Sequence, residues 1–132
     1  MSTLGKEIKS SIYNYGVATL KDKKIFAYEV DGKGQYKTFD DANLPSLLSL
    51  PYLQFVNEDD EIYANTRSHL LSTANPYFYQ NGNIKGIGSS HTPTNSIWPL
   101  ALMTQALTTK DRDEIRNCLQ SLKEHSTDNL NH

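Results

Sequence analysis

The sequence predicts a mainly α-helical chain that carries one β-hairpin. Apolar residues recur at helical spacing in several stretches, and polar capping residues precede most of these stretches. The clearest exception is a Gly-rich turn that lies between two β-prone runs. The length of 132 residues fits a single domain and leaves no room for two.

Four helices make up most of the predicted secondary structure. Their predicted ranges are 2–20, 57–72, 95–107 and a last stretch after Thr108, where Thr108 and Asp111 form a start that resembles a capping box. Ser2 is a suitable N-cap for the first helix, whose apolar stripe is Leu4, Ile8, Ile12 and Tyr15. The stripe of the second helix is Ile62, Tyr63, Thr66 and Leu70, and that of the last is Ile115, Cys118, Leu119 and Leu122. The third helix is apolar on most sides, which is typical of a helix packed between neighbours.

The segments between these helices carry the β and turn signals. The runs 25–30 and 35–39 flank the Gly-containing segment 31–34 and predict the hairpin. A short helix is then expected, with Asn43 as its N-cap and Pro45 in its first turn. The segment 73–94 lacks sustained periodicity, and we expect an ordered loop with a small hairpin that turns at Asn81 and Gly82.

Composition excludes several classes of function. The net charge of −2 gives no electrostatic reason to expect nucleic acid or an anionic membrane as a partner. No stretch approaches the roughly 20 apolar residues that span a bilayer, and the first residues have no signal-peptide core, so localisation is not predicted. The single cysteine, Cys118, excludes an internal disulfide and a cysteine-rich zinc site.

Two motifs hold candidate functional side chains. Asp40, Asp41 and Asn43 precede the short predicted helix, where they either cap it or form a polar cluster at a cleft that binds hydroxyl groups. The segment 86–93 contains glycines that permit close backbone approach, but it lacks the ending of a phosphate-binding P-loop. His91 in this segment is either a structural loop residue or a hydrogen-bonding partner for a ligand. A metal site at 40–43 is weakly supported, because no further ligand follows at suitable spacing.

Six segments resemble glycoside hydrolase family 125, in the family's order and at compatible spacing along nearly the whole chain. They are Ala27–Gly32 (AYEVDG), Asp40–Leu53 (DDANLPSLLSLPYL), Tyr63–Arg67 (YANTR), Asn75–Phe78 (NPYF), Gly86–Thr92 (GIGSSHT) and Ile97–Pro99 (IWP). One departure is Ser90, where many family members have a proline before the histidine.

The resemblance implies part of an (α/α)6 barrel and a metal-independent exo-α-mannosidase activity on α-1,6 linkages, with inversion and no cofactor. Residues 1–132 would be a single incomplete segment of the catalytic domain, since family members are about three times as long. The matching positions Asp40, Asp41, Asn43 and His91 are implied to line the cleft near the cleaved mannose. Tyr77 or Trp98 could stack on a sugar ring.

The resemblance also implies that this chain lacks the catalytic residues. The family's general acid lies upstream of the matched region, and its general base is a glutamate in a His-Glu-Ser sequence for which His132 could supply the histidine. Because inversion needs both an acid and a base, the chain alone is expected to be inactive. Its partners would be a mannose-containing glycan and the missing parts of the parent domain. The alternatives are a non-catalytic helical carbohydrate-binding or interaction module, and an unrelated helical scaffold.

Overall fold

A computed structural model describes residues 2–81 and 84–128 of the chain. Within these residues the α-helices are Thr3–Tyr15 (α1), Glu61–Leu70 (α2), Pro99–Leu107 (α3) and Arg112–Asp128 (α4), with a 3₁₀ turn at Leu47–Ser49. The strands are Val17–Leu20 (β1), Lys23–Phe26 (β2), Glu29–Val30 (β3), Tyr36–Lys37 (β4), Phe78–Asn81 (β5) and Ile84–Ile87 (β6). They form three separate antiparallel pairs, β1–β2, β3–β4 and β5–β6. The chain is therefore helix-rich, as predicted, but the described residues contain three small antiparallel strand pairs where the fold-class prediction had one β-hairpin.

The first helix is shorter than predicted. Ser2 is its N-cap, as expected, and accepts a hydrogen bond from the backbone N–H of Gly5 at 3.2 Å. The prediction that the helix continues to Leu20 is wrong, because residues 17–20 form β1. Lys21 and Asp22 connect β1 to β2 with φ angles of 47° and 67°, the left-handed conformation of a tight hairpin turn.

The predicted hairpin exists, but its first run is divided between two strand pairs. Glu29 pairs with Lys37 and Val30 with Tyr36, across the predicted Gly-containing turn. Ile25 belongs instead to β2, which pairs with β1. The turn before β2 consists of Lys21 and Asp22 and was not predicted, because lysine is uncommon in the left-handed conformation and no glycine or asparagine marks the turn.

The short helix after residue 43 is a 3₁₀ turn with a different N-cap from the one predicted. Ser46 is the capping residue, and its hydroxyl accepts from the N–H of Ser49 at 3.3 Å. The Ser49 hydroxyl accepts in return from the N–H of Ser46 at 2.9 Å. This reciprocal capping satisfies two backbone donors and leaves Asn43 available for other contacts.

Helix α2 organises the core, and three of its four predicted stripe residues are fully buried. Tyr63, Thr66 and Leu70 have no exposed surface, while Ile62 is half-buried. The Thr66 hydroxyl accepts from the N–H of Phe26 in β2 at 2.8 Å, and the Tyr63 hydroxyl donates to the carbonyl of Leu48 at 2.9 Å. Helix α2 thus fixes both β2 and the 3₁₀ turn that follows the 40–43 motif.

The small hairpin predicted in segment 73–94 is confirmed as β5–β6, with Phe78 opposite Ile87. Gly82, predicted in its turn, lies outside the described residues. Helix α3 begins at Pro99 instead of residue 95, and the N–H of Trp98 donates to the carbonyl of Ile87 at 3.1 Å. This bond ties the start of α3 to the end of β6.

Helices α3 and α4 are buried on one side only. In α3, Ala101 and Leu102 are buried, whereas Leu100, Met103 and Leu107 are 47%, 47% and 62% exposed. The prediction of apolar cover on most sides of α3 is therefore not met within this chain. In α4, Cys118 is buried and free, and burial together with the charge of Glu114 raises its pKa to about 11. Leu119, assigned to the apolar stripe, is 57% exposed instead.

The N-terminus of α4 is capped by one residue of the predicted pair. The Asp111 carboxylate accepts from the N–H groups of Asp113 and Glu114, at 2.9 and 3.3 Å. The Thr108 hydroxyl donates to the carbonyl of Thr104 at 2.8 Å, so Thr108 belongs to the end of α3 and not to the cap.

A partly buried ion pair joins α2 to α4. The guanidinium of Arg67 lies 2.8 Å from the carboxylate of Glu114, with the two side chains 14% and 25% exposed. Arg67 also donates to the carbonyl of Gln105 at 3.2 Å, and the Gln105 amide donates to Glu114 at 2.7 Å. Each charged group is therefore paired within a network that spans three helices.

We expect Arg67→Ala to weaken the packing of α4 by about 2 kcal/mol, because it leaves the half-buried Glu114 carboxylate without its cation. Native-state hydrogen exchange of the α4 amides measures this loss of protection. Arg116→Ala is the matched control, since the Arg116–Asp113 pair within α4 is 74% and 80% exposed. An exposed pair contributes under about 0.5 kcal/mol. Equal effects of the two substitutions would contradict the prediction.

Candidate functional site

The 40–43 motif forms a strained turn directly after the β3–β4 hairpin. Ala42 has a φ of 63° and is buried, although a side chain disfavours this left-handed conformation by roughly 1–2 kcal/mol. Its N–H donates to Oδ1 of Asp40 at 3.3 Å. Strain of this kind persists where surrounding contacts over-determine the backbone, and it is common at functional sites.

The buried side chain of Asp40 stabilises this turn. It has no exposed surface, and its Oδ2 accepts from the N–H of Leu48 at 3.1 Å. The side-chain amide of the buried Asn75 donates to the Asp40 carbonyl at 3.0 Å and to the Leu70 carbonyl at 3.2 Å. Both carboxylate oxygens of Asp40 therefore accept hydrogen bonds from backbone N–H groups. Its own chain covers it completely, so additional protein cannot expose it.

Burial raises the pKa of Asp40 from 3.8 to about 6. The N–H groups of Leu48 and Ala42 favour the charged form and oppose this shift, whereas the charge of Asp41 adds to it. The folded chain thus holds the Asp40 proton more tightly than the unfolded chain does.

The contribution of Asp40 to stability should accordingly fall as the pH rises from about 4 to about 6, because the unfolded chain ionises first. The stability that Asp40 contributes below pH 4 is thus lost above pH 6, and the total change in the free energy of unfolding is about 3 kcal/mol. An NMR titration of the Asp40 carboxyl carbon should give a midpoint near 6. The stability of the wild type relative to Asp40→Asn should fall over the same pH window, whereas Asp59→Asn at an exposed position controls for the change in net charge. A midpoint near 4 would refute the prediction.

Asp41 has different partners from Asp40 and is oriented by two side chains. Its Oδ1 accepts from the hydroxyl of Tyr28 at 3.3 Å and from the N–H of Asn43 at 3.3 Å. Its Oδ2 accepts from the Asn43 side-chain amide at 2.7 Å. Asp41 is 6% exposed and Asn43 is half-buried. Because a carboxylate oxygen can accept two hydrogen bonds, Oδ2 has capacity for one more donor.

An aromatic series extends this cluster. The ring of Tyr28 lies 4.9 Å from that of Phe39, which meets the ring of Tyr77 edge-on at 5.3 Å. Burial and the charge of Asp41 raise the pKa of Tyr28, so its hydroxyl stays a donor at neutral pH. We refer to Asp41, Asn43, Tyr28 and Tyr77 as the polar wall.

The 86–93 loop is attached to the polar wall through its backbone. The N–H of Gly88 donates to the carbonyl of Tyr77 at 2.8 Å. The hydroxyl of the buried Ser89 accepts from the N–H of His91 at 3.1 Å, which fixes the backbone that carries the exposed His91 ring. No hydrogen bond joins that ring to the polar wall within the part of the chain that the structure describes.

The structure thus bonds Asn43 to Asp41 and connects Tyr77 to Asp41 through the rings of Phe39 and Tyr28. It keeps the exposed His91 on a loop bonded to Tyr77 and buries Asp40. Tyr28 and Asn75 hold the arrangement, and the sequence analysis did not single them out. Both lie in segments that carry the family resemblance, which was the available signal.

Two cavities lie away from the predicted site residues. One cavity of about 450 Å³ lies beside Arg67 and Lys110, and another of about 690 Å³ lies between β5–β6 and α4. Neither is lined by a predicted site residue. Across residues 2–81 and 84–128, no three or more His, Cys, Asp or Glu side chains are grouped to hold a metal ion. In the same residues no helix is sufficiently long and apolar to cross a membrane.

Comparison with known proteins identifies relatives of the whole chain. The family model of the metal-independent alpha-mannosidases, GH125, matches residues 1–132. The Meiotically up-regulated gene 157 protein of Schizosaccharomyces pombe is 48% identical over 126 residues, which are 94% of this chain and 25% of that protein. A solved structure of a Streptococcus pneumoniae protein from a family of metal-independent alpha mannosidases, a non-productive substrate complex with α-1,6-mannobiose, is also similar. It matches with a TM-score of 0.84 and 48% identity, over 89% of this chain and 28% of that one.

The chain therefore spans about a quarter of the length of the relatives that it matches. The proposed equivalence of His132 to the histidine beside the family's general base lies outside the described residues.

Proposed function

Because the chain belongs to glycoside hydrolase family 125, the metal-independent α-mannosidases, we propose that it forms the sugar-binding part of an inverting exo-α-1,6-mannosidase domain. In this proposal its helices are part of an (α/α)6 barrel. The enzyme removes terminal mannose from glycans, and this chain alone is inactive. The observation that carries the proposal is the polar wall, in which a carboxylate and an amide are held beside aromatic rings.

The chemistry of the polar wall suits a hexose. Oδ2 of Asp41 accepts one hydrogen bond and can accept another from a sugar hydroxyl, while the Asn43 amide lies 2.7 Å away and can bond the neighbouring hydroxyl. Tyr77 offers an apolar ring face at the same site. His91 completes the proposed set from the adjoining loop.

The wall does not contain the acid and base that inversion requires. These two carboxyl groups stand roughly 6.5–9.5 Å apart, with a sugar and a water molecule between them. Asp40 has the raised pKa of a general acid, but it is fully buried and both of its oxygens accept backbone N–H groups. A general acid must reach the leaving oxygen, so its geometry excludes Asp40 from that role. Asp41 is the direct chain neighbour of Asp40, and its carboxylate bonds Tyr28 and Asn43.

A chimera tests the proposal. Residues 1–132 would replace the aligned segment of the S. pneumoniae mannosidase, and α-1,6-mannobiose would be the substrate for both the chimera and the isolated chain. We expect the chimera to release mannose and the isolated chain to release none. A folded but inactive chimera would refute the role of this chain in a mannosidase site, and turnover by the isolated chain that persists through repurification would refute its inactivity.

The second candidate is a non-catalytic carbohydrate-binding module. It is favoured by one observation, namely that the aromatic series and the Asp41–Asn43 pair are complete within this chain. NMR titration of the isolated chain with α-1,6-mannobiose separates the two candidates. Saturable shifts around Asp41 together with an inactive chimera would favour the binding module.

A further inference from the structure

Helix α1 presents its apolar stripe to solvent. Leu4, Ile8, Ile12 and Tyr15 are 64%, 52%, 37% and 71% exposed, and no residue of α1 is buried. At 100° per residue these four positions fall within about 80° of one another on the helix surface. They form a continuous surface, which we call the α1 apolar face.

The opposite side of α1 attaches the helix to the rest of the chain. The Lys9 ammonium group donates to the carbonyl of Phe55 at 2.6 Å and lies 5.2 Å from the centre of its ring. The Tyr13 ring stacks on Phe55 at 5.9 Å, and its hydroxyl donates to the Asp60 carboxylate at 3.2 Å. An amphipathic helix on a self-sufficient domain packs its apolar stripe inward. Here the polar and aromatic side is fixed inward, which leaves the α1 apolar face uncovered.

Helix α3 shows the same condition independently. Leu100, Met103 and Leu107 share one side of the helix and are about half exposed or more. Two separate helices therefore each leave a row of apolar side chains uncovered, which is uncommon for a soluble monomer.

We propose that the α1 apolar face is a docking surface for helices from the remainder of the family domain. The chain matches the family model over its whole length, yet it covers only 25% and 28% of the two relatives. In each of these relatives about three quarters of the length lies outside the matched segment and is available to cover the equivalent surface. Rows of apolar side chains spaced by three and four residues pack against a second helix. This inference concerns assembly and depends on family membership, not on the proposed sugar contacts.

The test compares one double substitution in two settings. Leu4→Gln with Ile8→Gln keeps good helix formers at both positions and adds no charge. In the isolated chain we expect little change in the melting temperature, because both side chains are exposed. In the S. pneumoniae chimera we expect the same pair to lower it by roughly 5–10 °C. Lys6→Gln with Ser10→Gln, at exposed positions on the polar side of α1, is the matched control and should be neutral in both settings.

Radical footprinting of Tyr15 provides a measurement that needs no variant. We expect its oxidation rate to be several-fold lower in the chimera than in the isolated chain. Equal oxidation, a neutral double substitution in the chimera, or a chimera that does not fold would each overturn the proposal. If the double substitution instead dissociates a stable dimer of the isolated chain, a second copy is the occupant and the proposal is wrong. A folded chimera with a protected α1 and no mannosidase activity would refute only the role of this chain in a mannosidase site.

Discussion

Gly88→Ala is expected to lower the free energy of unfolding by about 3 kcal/mol. A Cβ atom at this position would lie 2.1 Å from the carbonyl oxygen of Ser96 and 2.6 Å from Cε2 of Tyr79. The closer obstacle is backbone, which cannot move aside as the end of a side chain can. The loop would have to shift, and with it the hydrogen bond from Gly88 to the Tyr77 carbonyl.

Urea unfolding followed by the fluorescence of Trp98, the only tryptophan, measures this loss. Gly86→Ala is the matched control, because a Cβ there would meet only side-chain atoms, Cγ2 of Ile97 at 2.6 Å and Cδ2 of Leu102 at 3.1 Å. We expect the control to lose about 1 kcal/mol. If the two substitutions cost the same, close backbone approach is not what requires glycine at residue 88.

The elements that the sequence predicted well are those with local signals. Ser2 precedes a helical stripe, and the structure confirms it as the N-cap of α1. The stripe of α2 was assigned from spacing alone, and Tyr63, Thr66 and Leu70 are its buried residues. Both features depend on residues within two turns of one helix, so the pattern contains all the information needed.

The elements that it missed depend on contacts between distant parts of the chain. Residues 17–20 continue an apolar pattern that a helix could share, but their N–H and C=O groups pair with β2, and β2 is fixed by Thr66 of α2. Asn43 was a reasonable N-cap by residue type, yet its side chain bonds Asp41, and Ser46 takes the capping role. In both cases a tertiary contact overrides a local preference.

The candidate site likewise has a part that was predictable from local sequence and a part that depends on tertiary contacts. The family resemblance selected Asp40, Asp41, Asn43 and His91, and the structure bonds Asn43 to Asp41. The resemblance did not reveal that Asp40 is fully buried, because adjacent carboxylates look equivalent until their hydrogen-bond partners are known. A sequence pattern therefore located the motif, whereas the folded structure shows that Asp40 bonds the backbone and that Asp41 bonds Tyr28 and Asn43.

Asp41→Ala in the S. pneumoniae chimera is expected to lower kcat/KM for α-1,6-mannobiose by roughly 10²–10³, as expected when a charged hydrogen-bond acceptor and the orientation it gives Asn43 are both lost. Tyr28→Phe keeps the carboxylate and removes one hydroxyl donor, so about a tenfold loss is expected. Initial rates over a range of substrate concentrations measure both effects.

Asp59→Ala, which removes an exposed acid from the segment before α2, should leave the rate unchanged. Each variant should retain the melting temperature of the parent chimera within a few degrees, because the hydrogen-bond partners of Asp41 are Tyr28 and Asn43, and both are only half-buried. Asp40→Ala provides the contrast: it removes the acceptor for Ala42 and Leu48, and the melting temperature should fall together with the rate. If Asp41→Ala stays within threefold of the parent rate while it remains folded, the ring faces of the polar wall and not its carboxylate must bind the sugar.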